Sequence, residues 1–112
     1  MVNLLRRAKR RMSKSYNYPL NSDWTTDEMI QVIQLFNAVE QAYEKGITVE
    51  DFARAYRQFK HIVTSISEEK QLGRAFEETS GYSIYRTVQA FRASSKTNTN
   101  SQRKQMIKMT IK

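Results

Sequence analysis

From Thr25 to Phe91 apolar side chains recur every three or four residues, and the rhythm breaks at Gly46, around Ser65 and at Gly81. Recurrence at that spacing lines up one face of an α-helix, whereas a half-buried strand would alternate. The first segment opens at "TTDE". Thr25 suits an N-cap, and Glu28 three residues later completes a capping box. Asp27 and Glu28 also suit the positive end of the helix dipole. At about 100° per residue, Met29, Ile30, Ile33, Phe36 and Tyr43 share one side, and Val32, Leu35 and Val39 widen the apolar arc past half the circumference. A helix apolar over so wide an arc has neighbours on several sides, so it is expected at the centre. Gly46 ends it as a C′ residue.

A second helix is predicted from Thr48, with Glu50 and Asp51 in its first turn. Phe52, Ala55, Tyr56, Phe59, Ile62 and Val63 form its apolar stripe. A third opens at Ser65 or Ser67 and runs through Leu72, Ala75 and Phe76 to Gly81. A fourth opens near Ser83 and carries Tyr85, Val88 and Phe91. No stretch alternates as a strand does. Upstream, "NYPLNSDW" reads as an extended lead-in, because Pro19 pushes Tyr18 out of the α region. Trp24 is expected to anchor it on the core. The short loops imply an all-α fold, a compact array of about four antiparallel helices with flexible basic ends.

Charge divides the chain. Residues 1–14 hold six Lys or Arg and residues 95–112 hold five, with no acid in either stretch. Between them lie eight basic and eleven acidic residues, a net of −3. The overall charge of +8 therefore describes the ends. The expected organisation is a basic extension over 1–15, a helical domain over 16–94 and a disordered basic tail over 95–112. The extension is read as disordered or as not natively translated, with Met12 as the start. The tail's Ser/Thr/Asn run gives it nothing to pack, so disorder is expected in isolation, the alternative being a short amphipathic turn around Met106–Met109 on binding. There is no Cys, which excludes a disulfide scaffold, a thiolate nucleophile and a Cys-based zinc site. No apolar run reaches the roughly 18 residues of a membrane span. The basic start is not followed by an apolar signal region. The compartment expected is the cytoplasm.

Candidate chemistry is sparse. Arg54, Arg57, Gln58 and His61 lie opposite the apolar stripe of the second helix. They could track phosphates or an acidic partner. The plain alternative is a solvated face, with Arg54 and Lys60 paired to acids on neighbouring helices. His61 is the only His, so a two-His metal site is excluded within one chain, and an exposed surface role is expected. Glu40 falls inside the apolar arc of the first helix and needs a partner there. Candidates are Arg57, Arg74, Arg86 and the phenols of Tyr56 and Tyr85. "GYSIYR" gathers the residue types of interface hot spots. Tyr85 is assigned to the core, and Tyr82 and Arg86 to the surface. Three scattered glycines make no phosphate-cradling loop.

The stretches "YNYPL", "DWTTDEMIQVIQLFNAVEQAYEKG", "FARAYRQFKHIV", "SEEKQ" and "SGYSIYRTV" resemble uncharacterised protein family 0223, small proteins of low-GC Gram-positive bacteria. The likeness spans roughly residues 16–93. It implies an array of about four helices in a cytoplasmic protein and transfers no functional residue. The function expected is that of a non-enzymatic binding or accessory protein without cofactor or metal. It would meet a protein partner through Arg54, Arg57, His61, Tyr82 and Arg86. The alternative is RNA or DNA binding through the basic ends and the second-helix face.

Overall fold

Thr25 starts the first helix in the way its spacing to Glu28 predicts. Its Oγ1 accepts from the Glu28 amide at 3.1 Å, while its own amide donates to Glu28 Oε1 at 2.9 Å. In the computed structural model, which describes residues 18–95 and 106–110, this helix is α1, Thr26–Glu44. It is followed by β1 (Ile47–Thr48), α2 (Val49–Ile62), α3 (Ile66–Ser80), α4 (Ile84–Ser95) and β2 (Met106–Ile107). Thr48 caps α2 through the Asp51 amide, and Ser65 caps α3 through the Glu68 amide. Gly46 (φ +96°) and Gly81 (φ +83°) close α1 and α3 in left-handed backbone, where a Cβ is strained. The fold is all-α with four helices, as expected.

α1 is the hub. It packs most extensively on α2, touches α4 and β1, and meets α3 through Phe36. Val32, Leu35, Phe36, Ala38, Val39 and Ala42 are its buried positions. That face lies slightly round from the expected one. Ile30 is 48% exposed, and Ala38 and Ala42 take core places. Aromatic rings tie the elements together. Tyr18, Phe36 and Phe76 stack, with centroids 5.3 Å apart for the first pair and 4.8 Å for the second. Phe91 of α4 meets Phe52 and Tyr56 of α2 at 5.1 and 6.1 Å. Trp24 is buried, so the lead-in is anchored as predicted.

Two features depart from the sequence reading. A two-stranded antiparallel sheet pairs Ile47 with Ile107 and Thr48 with Met106. Strands of two residues are too short to show alternation. Residues 106–110 also do not behave as an unpacked tail, because Ile107 is 2% exposed within the core. The expectations for residues 1–15, 96–105 and 111–112 lie outside the described residues. Among the described residues, no helix is long and apolar enough to cross a membrane.

Candidate functional site

The outer face of α2 carries Arg54, Arg57 and His61, all exposed. Arg54 is engaged within its own helix, not with a neighbour. Its Nη1 lies 3.2 Å from Asp51 Oδ1 and its Nη2 lies 3.9 Å from Glu50 Oε2. Exposed pairs of this kind contribute about 0–1 kcal/mol. They still place two carboxylates beside the guanidinium, which opposes an incoming phosphate.

Lys60 does bridge helices, as expected. Its Nζ donates to Glu69 Oε1 on α3 at 2.6 Å, and Tyr56 donates its phenol to Glu69 Oε2 at 3.0 Å. Burial pushes the Tyr56 phenol up to about 12, and the negative charge of Glu69 pushes it the same way, with Arg92 opposing. The polar groups here hold α2 to α3. Glu40 likewise takes a structural role with a partner outside the expected set. It accepts from the Tyr18 hydroxyl at 2.9 Å, with Asn37 Oδ1 at 3.1 Å from the same oxygen. The lead-in brings this phenol over α1, and no feature of helix spacing points to it.

Tyr82, in the turn before α4, and Tyr85, on α4, exchange their expected places. Tyr85 is 67% exposed. Tyr82 is half-buried, stacked on Tyr43 at 4.6 Å, and donates its hydroxyl to Glu44 Oε2 at 3.0 Å. The physical reason is Thr87. The buried stripe of α4 is Ile84, Thr87, Val88 and, half-buried, Phe91. Thr87 is admitted because its Oγ1 donates to the Ser83 carbonyl at 2.7 Å, which satisfies the hydroxyl inside the core. A stripe through 84, 87, 88 and 91 turns Tyr85, Arg86 and Gln89 outward. Counting Thr87 as apolar would have shown this in the sequence. Gln89 Nε2 donates to the Tyr85 hydroxyl at 3.0 Å and steadies the ring. Arg86 is exposed and forms no ion pair among the described residues.

The five residues singled out from the sequence therefore divide. Arg54, Arg57 and His61 share the face of α2. Arg86 lies on α4, and Tyr82, in the turn before it, is tied down against α1. Contact between α2 and α4 runs through Phe91, seven residues beyond Ile84 at the start of α4, or about 10 Å along the helix axis. No group of three metal-ligating side chains occurs among the described residues.

The chain is similar to known proteins. A protein of Enterococcus faecalis is 58% identical over 76 residues, 68% of this chain and 83% of the relative. One of Listeria monocytogenes is 53% identical over 74 residues, 66% of this chain and 82% of the relative. One of Lactococcus lactis is 48% identical over 85 residues, 76% of this chain and 91% of the relative. All three are described as UPF0223 proteins. The profile of that family matches residues 15–100, from the lead-in through α4, and the chain belongs to the Uncharacterised protein family UPF0223.

Proposed function

We propose that this chain is a non-enzymatic protein-binding module that presents the outer face of α4. The observation that carries the reading is Tyr85. Of the eleven aromatic residues in the described segments it is the one that stands exposed. A domain that buries or half-buries every other described ring, yet leaves one tyrosine in water, supports contact with another surface. Gln89 holds the ring, which lowers the entropy lost on docking. Arg86 stands beside it, and α4 carries no acidic residue, so the partner surface is acidic or neutral. The polar groups of the interior are spent on structure: Tyr56, Lys60 and Glu69 join α2 to α3, and Tyr18 joins the lead-in to Glu40. The net of −3 over residues 18–95 and the acids around Arg54 favour a protein partner over phosphates.

The test places a photo-reactive side chain at Tyr85 in the cell of origin and, as a control, at exposed Glu78 on α3. Position 85 should yield a discrete protein adduct that is absent from position 78 and suppressed by Arg86→Glu. Equal, diffuse labelling from both positions, an adduct indifferent to R86E, or an adduct removed by nuclease would overturn the reading.

A further inference from the structure

The segment Met106–Thr110 meets the domain as an extended peptide meets a receptor. Ile107 is buried and Met109 half-buried, while Met106, Lys108 and Thr110 are exposed. That alternation is the signature of a strand laid along a surface. Its seat is formed at the C-terminal end of α1. The Met109 amide donates to the Ala42 carbonyl at 2.8 Å, filling one of the acceptors that a helix leaves open in its last turn. Ile107 and Met106 pair with Ile47 and Thr48. Gly46 permits the close approach: a methyl group there would stand 3.2 Å from Met106 Cε and 3.6 Å from the Ile107 carbonyl oxygen. The seat thus has a helix-end backbone acceptor, a two-residue stretch that pairs with the segment as a strand, and a place in the core for Ile107, so main-chain hydrogen bonds and a side-chain pocket act together as in strand-addition recognition.

Two further observations separate seat from occupant. The seat residues Ala42, Gly46, Ile47 and Thr48 lie inside the family match, which ends at residue 100, before the segment that fills it. Residues 96–105, which join the segment to α4, contain no apolar side chain. Charge partly complements the fit. Residues 96–112 hold five basic residues and no acid, whereas Glu44, Glu50 and Asp51 lie close in sequence to the seat against one cation, Lys45, at the helix C-cap.

We infer that this seat is a strand-docking site for an extended segment with a branched apolar residue and a second apolar residue two places on, flanked by Lys or Arg. In this chain its own residues 106–109 occupy it, and a partner segment of that chemistry exchanges with them. The inference does not rest on the α4 face.

The test uses the full chain carrying Ile107→Asp, which removes the socket residue from the occupant and leaves the seat intact. The probe is a synthetic peptide with the sequence of residues 102–112. The helical circular dichroism of I107D should match that of the unsubstituted chain. The peptide should bind I107D and shift the amide resonances of Gly46 and Ile47. Binding to the unsubstituted chain should be roughly tenfold weaker or more, because the tethered segment competes at high effective concentration. The same peptide with Ile107→Asp should bind roughly tenfold more weakly or not at all. A folded I107D that ignores the peptide, or shifts away from Gly46 and Ile47, overturns the inference. So does a dimer seen by light scattering without peptide binding, which would make a second copy the occupant. Should I107D fail to fold, hydrogen exchange of the unsubstituted chain decides. A Met109 amide that exchanges faster than that of Val39 in α1 supports a segment that lifts alone. Equal exchange makes it part of the core and overturns the proposal.

Discussion

Tyr56 shows how one side chain links packing to pH. Its phenol donates to a carboxylate that also receives Lys60, and burial holds its proton up to about 12. A folded-state pKa raised above the ordinary phenol value of about 10 means that the folded chain keeps a proton the unfolded chain has lost. The stabilising effect is complete below pH about 10 and falls as pH rises from there to about 12. Chemical unfolding at a series of pH values should show that decline. In Tyr56→Phe the contribution to it should vanish, with a cost of about 1 kcal/mol at neutral pH for the lost hydrogen bond. Unchanged steepness above pH 10 in Y56F would assign the decline to other groups. Thr87 makes a second residue-scale point. A single hydroxyl paired to the carbonyl four residues back allows a polar residue into the core, on the same face of α4 as Ile84, Val88 and Phe91.

Among the elements, helix starts were legible in the chain and helix faces only in part. The three N-caps Thr25, Thr48 and Ser65 and the two stops Gly46 and Gly81 are where their residue types predict. Each depends on hydrogen bonds within three or four residues, which a sequence displays directly. Thr25→Ala should cost about 1 kcal/mol in an unfolding titration. Faces depend on which neighbour arrives. Phe76 stacks between elements and Tyr85 faces water, although each sits on a helix with apolar spacing. Phe76→Ala should cost about 3–5 kcal/mol. Tyr85→Ala should stay within about 0.5 kcal/mol, as an exposed ring removed from the surface does. A large loss for Y85A would return that ring to the core.

Across the whole molecule, charge and fold are segregated. The described domain between the basic ends is mildly acidic, and Arg54 on α2 is already flanked by carboxylates. RNA affinity of the full chain should therefore fall steeply with salt and stay unchanged in Arg54→Glu with Arg57→Glu. Loss of RNA binding in that double variant at constant melting temperature would put a nucleic-acid face on α2. Of the candidate interaction residues, Arg54, Arg57, His61 and Arg86 are exposed as their positions foretold, since a polar side chain opposite an apolar stripe has little choice. The residue that carries the proposed interface, Tyr85, was hidden by the stripe drawn through it.

By itself the amino-acid sequence determined four helices, their caps, the central role of α1 and membership of one protein family. All of these follow from local spacing or from the order of residues. Tertiary structure alone decided that Tyr18 meets Glu40 across 22 residues and that Tyr82 reaches Glu44 across 38. It also decided that Ile107 pairs with Ile47 and that Met109 caps Ala42. Such pairings carry no periodic signal. Each depends on which surfaces the packed helices bring within a few ångströms of one another, and that geometry exists only once the core has formed.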